Sequence, residues 1–274
     1  MKPGTWRLIL SPPASGAWNM ALDEAILDEV IAQKQLPTLR FYTWEPACLS
    51  LGHAQSVKDV DLTALQAHGW HLVRRPTGGR AILHTDELTY SICALQDESI
   101  MAGGILDSYR RISLALVQGL ANLGVEAHAD SRYSLPDGVP ENAAVCFETP
   151  SNYEITAQGK KIIGSAQARR NLGILQHGSL PLYGDLTRIT EVLQFTNPGE
   201  REQAKQRLLR HATTAEAILG TTVSWEQAVR SMITAFSSVL GLNLNPEEPN
   251  DQEIERAIIL MDEKYANEIW TCRI

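Results

Sequence analysis

In the first half of the chain, hydrophobic and polar positions predict short strands around one long helix. Apolar residues recur at helical spacing from Ala17 to about Gln33, which predicts an amphipathic helix. We expect its acidic residues to lie on the opposite face, away from the core: Asp23, Glu24, Asp28 and Glu29. Segments typical of strands cover residues 6–10, 38–44, 48–52, 71–75, 81–84 and 88–95, and a short helix is predicted over 60–69.

The second half predicts a further group of strands, followed by helices. A long helix is predicted from Ile105 to about Leu123, and strands over 152–157, 160–170 and 173–182. The last third is mostly helical, including 186–195, the arginine-rich segment 200–211, 224–241 and an acidic helix from about Asn250 to Glu263. This order predicts an α+β fold with a mixed, mostly antiparallel sheet and flanking helices. We expect one domain over residues 1–274, with a helical C-terminal portion.

Composition and charge narrow the function classes. Hydrophobic residues make up 44% of the chain and the formal net charge is −8, which argues against a general binder of nucleic acids or membrane surfaces. No apolar run approaches the roughly 20 residues of a membrane-spanning helix. The opening MKPGTWRLILSPPASG lacks the apolar core of a signal peptide. We therefore expect a cytoplasmic protein.

The four cysteines, Cys48, Cys93, Cys146 and Cys272, are widely separated. There is no CxxC motif and no pairing of cysteine with histidine at metal-ligand spacing, so we expect no metal and no cofactor. Buried apolar filler is the usual role of a free cysteine. Cys146 differs because it lies beside the segment LPDGVPEN, and loops held by a rigid sheet are common places for a nucleophile.

The segment RRPTGGRAILH, residues 74–84, predicts a sharp turn between two strands. Glycine lets a ligand approach the backbone closely, and Arg74, Arg75 and Arg80 could hold a phosphate or carboxylate. The same residues would also fit a solvent-exposed turn with charged flanks that binds no ligand. The pattern of a Walker phosphate loop is absent.

The segment GKKIIGSAQARR, residues 159–170, predicts a strand that starts with two lysines. Regular alternation would place Lys161, Ile163 and Ser165 on one face, so one of the two lysines points inward if the strand is half-buried. A buried lysine can activate a nucleophile or act as a base, whereas an edge-strand lysine would only discourage aggregation. His177, in LQHGSLPL, fits either catalysis or packing.

Six segments in order resemble one superfamily: NMALDEAIL, PTLRFYTWEPACLSLG, RRPTGGRAILH, CFETPSNYEI, GKKIIGSAQARR and LQHGSLPL. Together they resemble the lipoate–protein ligases and octanoyltransferases, and within them the cysteine-dependent octanoyltransferases of the LipM type. The resemblance runs from about Trp6 to the closing KYANEIWTCRI. It implies the catalytic-domain fold shared by biotin and lipoate ligases, which is related to class II aminoacyl-tRNA synthetases.

The resemblance implies an acyltransferase that moves octanoyl from octanoyl-acyl carrier protein to a lysine of a lipoyl-domain protein, chiefly the glycine cleavage H protein. It implies that Cys146 is the nucleophile and that Lys161 activates its thiol. A nearby ammonium favours a thiolate, and the same lysine, once deprotonated, could take a proton from the acceptor amine. We expect the motif segments to supply the substrate-binding residues: Arg75, Gly78, Gly79, Arg80, His84, Gly164, Ser165, His177 and Gly178.

Further expectations concern the acyl chain and the partners. We expect an apolar tunnel between the glycine turn and the strand bearing His177, and an oxyanion site near Gly78-Gly79 or Gly164-Ser165. We expect a positive surface that steers acidic carrier and lipoyl proteins, and a monomer. Its basic residues are Arg74, Arg75, Arg80, Lys160, Lys161, Arg169 and Arg170.

Three alternatives remain open. An ATP-dependent lipoate–protein ligase would use the glycine turn and Lys161 for an acyl-adenylate, although such ligases usually have an accessory domain that we do not expect here. An amidotransferase would take octanoyl from one lipoyl-domain protein and pass it to another. A catalytically inactive relative would only bind lipoyl domains. A biotin ligase is disfavoured because RRPTGGR replaces its GRGRxG-type loop.

Overall fold

The computed structural model describes residues 4–130 and 154–274. Its strands are β1 (Gly4–Leu10), β2 (Thr38–Tyr42), β3 (Cys48–Leu51), β4 (His71–Arg74), β5 (Ile82–His84), β6 (Glu87–Leu95), β7 (His128–Asp130), β8 (Glu154–Ala157), β9 (Lys160–Arg170), β10 (Gly173–Pro181) and β11 (Leu242–Pro246). Its α-helices are α1 (Gly16–Ile31), α2 (Leu62–Ala67), α3 (Ile105–Asn122), α4 (Pro198–His211), α5 (Ala215–Leu219), α6 (Trp225–Leu240), α7 (Asp251–Leu260) and α8 (Glu268–Thr271).

Eight strands form one mixed sheet in the order β11-β1-β2-β6-β10-β9-β8-β7. The pairs β11–β1 and β1–β2 are parallel, and the other pairs are antiparallel. A hairpin joins β8 to β9 through Gln158 and Gly159, whose φ angles of 50° and 74° match the tight turn of a two-residue hairpin. The predicted α+β class with a mostly antiparallel sheet is confirmed.

A second sheet packs beside the first and has three strands in the order β4-β3-β5. The strands β5 and β6 follow each other in the sequence but belong to different sheets, because β5 pairs with β3 whereas β6 pairs with β2 and β10. Residues 85–86 therefore carry the chain from the small sheet to the large one. This crossing brings the two sheets together around the segment 74–84.

Helix α1 is buried on nearly every side, which corrects the prediction of a charged outer face. Asp23 and Glu24 are buried, because α1 lies between the large sheet and the C-terminal helix α7. Asp23 meets Arg40 of β2, and Glu24 meets Arg170 of β9 and Lys264. The acidic residues are therefore paired within the fold instead of being solvated.

The C-terminal third differs from the sequence prediction in two places. Residues Leu186–Glu191 form a 3-10 helix, although the pattern predicted an α-helix over 186–195. Strand β11, which was not predicted, follows α6 and pairs with β1. Within the described residues, no helix is long and apolar enough to cross a membrane.

Candidate active site

A cavity of about 370 Å³ lies between the two sheets, at the place where the sequence predicted an acyl tunnel. Several of the predicted site residues line it: Arg75, His84, Gly164, Ser165, His177 and Gly178. The remaining lining residues are Met20, Tyr42, Trp44, Ser50, Ile82, Thr89, Ala166 and Ser179. These six residues are thus brought together by the end of β4 and by β5, β9 and β10, whereas the predicted Gly78, Gly79 and Arg80 do not line the cavity.

Arg75, which lines this cavity, fixes the glycine turn. Its guanidinium donates to the carbonyl oxygens of Gly78 and Arg80 at 2.9 and 2.7 Å, and to the carbonyl oxygen of Ser50 at 2.9 Å. Gly79 has a φ of 93°, which glycine adopts readily. The exposed Gly78 and Gly79 are therefore part of a turn that Arg75 binds to the small sheet.

Arg74 has a structural role, which differs from the anion-binding role that its sequence suggested. Its buried guanidinium donates to the carbonyl oxygens of Gly52, Gln55 and Thr271 at 2.8, 2.5 and 3.0 Å. Burial lowers the pKa of Arg74, and the neighbouring Arg273 lowers it further. Arg74 thus joins the loop after β3 to the C-terminal end of the chain.

His84 is held by contacts on both ring nitrogens and on one face. Its Nδ1 shares a hydrogen bond of 2.7 Å with Glu87, its Nε2 shares one of 2.7 Å with Ser50, and the ring stacks on Trp44 with centroids 3.9 Å apart. Burial alone would raise the pKa of Glu87, but His84 and the donating hydroxyl groups of Thr89 and Ser179 lower it. One wall of the cavity is therefore a hydrogen-bonded chain of Ser50, His84 and Glu87, with the indole ring of Trp44 stacked on His84.

His177 reaches the cavity from β10 and contacts the glycine turn. Its Nε2 shares a hydrogen bond of 2.6 Å with the hydroxyl of Thr77, and its Nδ1 lies 3.9 Å from the carboxylate of Asp23. Burial lowers the pKa of His177, and Asp23 offsets this only in part. The lowered pKa favours the neutral imidazole near neutral pH.

Asp23 and Arg40 form a buried ion pair beneath His177, with N and O atoms 2.8 Å apart. Burial would raise the pKa of Asp23, but Arg40 and His177 together lower it. Tyr42 and Ser91 also donate their hydroxyl groups to this carboxylate, at 2.9 and 2.7 Å. The pair is thus hydrogen-bonded on several sides, which a buried charge requires.

Lys161 is the inward-pointing lysine that the doubled motif predicted, but it lies on a different face from the one expected. Its side chain is 2% exposed, and its Nζ donates to Glu154 of β8 at 2.6 Å. Ile155 is opposite Ile163 while Thr156 is opposite Lys161, so Ile162 is an extra residue, a β-bulge. The bulge reverses the alternation, and Lys161 and Ile163 point to opposite faces. Cys146, the predicted nucleophile, lies outside the described residues.

Part of the predicted positive docking surface is engaged within the fold. Arg74, Arg75 and Lys161 are buried. Lys160 donates to the carbonyl oxygen of Leu209 at 2.6 Å, and Arg169 donates to that of Gly103 at 2.6 Å. Arg170 pairs with Glu24 and Asp28 at 2.8 and 2.9 Å. The buried cations and Arg170 are thus engaged within the fold, whereas Lys160 and Arg169 bond neutral carbonyl groups and keep their positive charge at the surface.

Sequence reasoning missed several polar residues of the site: Asp23, Arg40, Ser50, Thr77, Glu87, Thr89, Glu154 and Ser179. One signal was available, since Asp23 and Arg40 interrupt apolar stretches whose neighbours are core residues. Glu154 is the first residue of β8, but nothing in the sequence shows that its partner is Lys161. Within residues 4–130 and 154–274, no group of three His, Cys, Asp or Glu residues is placed to hold a metal ion.

The chain is similar to known proteins over nearly its whole length. Residues 15–237 match the family model described as the lipoyl protein ligase A/B catalytic domain. The octanoyltransferase LipM of Kyrpidia tusciae is 40% identical, with 98% of this chain and 99% of the relative covered. The octanoyltransferase LipM of Bacillus subtilis is 35% identical over 98% and 99% of the two chains.

Two solved structures share the fold. A lipoate-protein ligase A bound with ATP is 27% identical, has a TM-score of 0.78 and is matched over 99% of both chains. A bi-partite lipoate protein ligase from Thermoplasma acidophilum is 24% identical, with a TM-score of 0.80 and coverage of 99% and 97%. Because ligases of nearly equal matched length exist, chain length does not separate a transferase from a ligase. The family predicted from the motifs is confirmed, and this chain belongs to the lipoyl protein ligase A/B catalytic domain family.

Proposed function

We propose that this protein is an octanoyltransferase of lipoate biosynthesis that moves octanoyl from octanoyl-acyl carrier protein to a lysine of a lipoyl-domain protein. The observation that carries the proposal is the similarity of this chain, over nearly its whole length, to octanoyltransferases named LipM. The LipM of Kyrpidia tusciae, for example, is 40% identical. The glycine cleavage H protein is the acceptor that we expect first, and the cytoplasm is where both partners would be met. The same relatives support the broader activity class, an acyltransferase acting on lipoyl-domain proteins.

The cavity provides a place for the acyl chain. Met20, Trp44, Ile82 and Ala166 supply apolar wall, and burial of a methylene group contributes about 0.8 kcal/mol. An eight-carbon chain therefore gains most of its affinity by leaving water. The polar side chains at the glycine turn and on β10 would then lie nearer the carbonyl end of the chain.

The reaction that we propose has two steps with one covalent intermediate. The thiolate of Cys146, whose proton has gone to water, attacks the carbonyl carbon of the donor thioester and a new C–S bond forms. The donor's C–S bond breaks, and the donor leaves as a thiolate that takes a proton from water. The acceptor amine then attacks the same carbon, an amide bond forms, and the enzyme thiol is released as the amine loses its proton. The ammonium of Lys161 stabilises the thiolate in the first step.

A ligase that uses ATP is the second candidate, because the ligase A structure bound with ATP shares the fold at 27% identity. A ligase would join free octanoate to the acceptor through an adenylate and would not need the cysteine. An amidotransferase would instead use an octanoylated lipoyl domain as donor. The three activities are therefore distinguished by the donor and by ATP.

The test is transfer of octanoyl to a purified lipoyl domain, followed by the mass of that domain. We expect transfer from octanoyl-acyl carrier protein without ATP, and loss of about 100-fold or more in Lys161→Met. Lys160→Met is the matched control, since Lys160 is the neighbouring lysine and its Nζ donates to the carbonyl oxygen of Leu209. Transfer only from octanoate with ATP would identify a ligase, and transfer only from an octanoylated domain an amidotransferase.

A further inference from the structure

The ion pair between Glu154 and Lys161 is almost completely withdrawn from water. The exposed fractions of the two side chains are 1% and 2%, and the carboxylate oxygen lies 2.6 Å from Nζ. Burying either charge without a partner would cost several kcal/mol, and pairing them recovers much of that cost. Because buried ion pairs rarely add net stability, their main effect is often to fix which groups lie together.

The bulge at Ile162 explains how Lys161 reaches this position. Ile162 and Ile163 both pack in the core beneath α3 and α6. Lys161 therefore points to the other face, where Glu154 lies on the neighbouring strand. Gly164 and Ala166, which alternate with Ile163, point to this same face and line the cavity. Bulges next to active sites commonly redirect a side chain in this manner.

The backbone of Lys161 is also held at a fixed place. Its carbonyl oxygen accepts a hydrogen bond of 3.0 Å from the amide of Thr213, and the residue forms a parallel bridge with Ala212. On the opposite side of β9, Lys161 pairs with Thr156 of β8. With the main chain held on both edges, the carboxylate of Glu154 fixes the direction of the remaining flexible part, the side chain.

We propose that Glu154 is the positioning residue of Lys161, holding its ammonium charged and aimed along the cavity face throughout the acyl-transfer cycle. The inference rests on the function proposed above. When the enzyme thiolate becomes a thioester, its negative charge disappears, and the ammonium loses that counter-charge. Glu154 does not react and supplies a permanent counter-charge, so Lys161 stays an electrostatic partner of the thiolate and of the oxyanion. The proposal disfavours the expected second role of Lys161 as a base.

The test compares Glu154→Gln and Glu154→Asp with the wild type in single-turnover formation of the octanoyl adduct and in kcat and KM for the donor. Gln keeps an oxygen that accepts from Nζ but removes the charge, whereas Asp keeps the charge. We expect Glu154→Gln to slow adduct formation about 100-fold with little change in KM. Glu154→Asp keeps the charge but draws it back from Nζ, so we expect it to be slower than the wild type by only about three- to tenfold.

Glu253→Gln is the matched control. Glu253 is also a buried carboxylate, 0% exposed, and it is paired with Arg7 of β1 at 2.6 Å; neither residue lines the cavity. We expect the Tm of Glu253→Gln to fall, as that of Glu154→Gln does. The folded Glu253→Gln enzyme should keep the wild-type rate of adduct formation. A merely structural Glu154 would give the same pattern as Glu253 in both measurements.

Each outcome decides the proposal. Equal rates for wild type and Glu154→Gln, or slowing in Glu154→Gln that Glu154→Asp does not relieve, would overturn it. If Glu154→Gln does not fold, Glu154→Asp alone is decisive: a lower kcat at unchanged KM supports positioning, and an unchanged kcat for the folded fraction refutes it. Absence of an adduct in the wild type would instead count against the proposed function.

Discussion

Three carboxylates on the cavity side of the large sheet each meet a basic side chain within hydrogen-bond distance. Asp23 lies 2.8 Å from Arg40, Glu87 lies 2.7 Å from His84, and Glu154 lies 2.6 Å from Lys161. All six side chains are buried, so each charge is balanced locally. An apolar acyl site can therefore have polar groups in fixed positions without the cost of an isolated buried charge.

At the residue scale, His177 should make the stability of the protein depend on pH. Its pKa in the folded protein is below the ordinary 6.5, whereas in the unfolded chain the ring is free to protonate near that value. As pH falls below 6.5, the unfolded state takes up a proton first, so the free energy of unfolding falls. The contribution is at most about 1.4 kcal/mol per pH unit and ends once pH passes the folded pKa.

Urea unfolding of the wild type and His177→Gln between pH 7.5 and 5 measures this contribution as a difference between two slopes. We expect a smaller fall in the variant, because glutamine does not titrate and can accept the hydrogen bond from Thr77. Other histidines with a lowered pKa, His53 and His211, are present in both proteins and cancel. Identical slopes would mean that His177 protonates equally in the folded and unfolded states.

At the scale of elements, the glycine turn is fixed by a close contact with the loop after β3. A Cβ on Gly52 would overlap the carbonyl oxygen of Gly79, while a Cβ on Gly78 would meet no atom within 4 Å. The amide of His53 also donates to the carbonyl oxygen of Thr77 at 2.8 Å. The turn and the loop are thus packed backbone to backbone.

Gly52→Ala should therefore displace the glycine turn, while Gly78→Ala should leave the fold unchanged. We expect Gly52→Ala to lower the free energy of unfolding by about 1–3 kcal/mol, the usual cost of overpacking, and to raise KM for the donor. Gly78→Ala is the matched control for stability, measured by the same thermal unfolding. Equal Tm values for the two variants would show that the contact at Gly52 relaxes without cost.

The sequence predicts most elements of this fold because their patterns are local. The helix over 105–123 and the strands over 160–170 and 173–182 are placed within two residues of α3, β9 and β10. Features that depend on distant partners could not be predicted. Strand β11 needs β1 as its neighbour, and the buried state of Asp23 needs Arg40 from another element.

The site was predicted in the same uneven way. Six of the nine predicted binding residues line one cavity, because glycine turns and strand ends have local signatures, whereas Gly78, Gly79 and Arg80 do not line it. The face of Lys161 was wrong, since strict alternation cannot reveal that Ile162 is a bulge. The expected docking surface loses its buried members and Arg170, because sequence counts charges but does not show which of them are paired within the fold.

At the scale of the whole molecule, the C-terminal end of the chain secures the loop that supports the glycine turn. The indole of Trp270 donates to the carbonyl oxygen of Arg74 at 2.8 Å, and the guanidinium of Arg74 donates back to that of Thr271 at 3.0 Å. The amide of Val57 donates to the carbonyl oxygen of Ile274 at 2.8 Å. Residues 267–274 thus close over the small sheet.

Removal of residues 267–274 should lower the free energy of unfolding by more than the loss of one helical turn alone would. The buried guanidinium of Arg74 would lose its acceptor at Thr271, and an unmade hydrogen bond of a charged buried group costs about 2–3 kcal/mol. Trp270→Phe is the control: it keeps an aromatic ring but removes one hydrogen-bond donor. We expect it to lower the free energy of unfolding by about 1 kcal/mol. A truncated protein as stable to urea as the wild type would contradict this role of the C-terminal end.

The most direct test of the central claim is the intact mass of the enzyme after mixing with octanoyl-acyl carrier protein in the absence of ATP. The account predicts an octanoyl adduct that hydroxylamine removes, that is present in the wild type and that is absent in Cys146→Ala. An adduct that persists in Cys146→Ala would contradict the assignment of the nucleophile. The absence of any adduct in the wild type, together with acceptor modification that needs octanoate and ATP, would contradict the transferase mechanism itself.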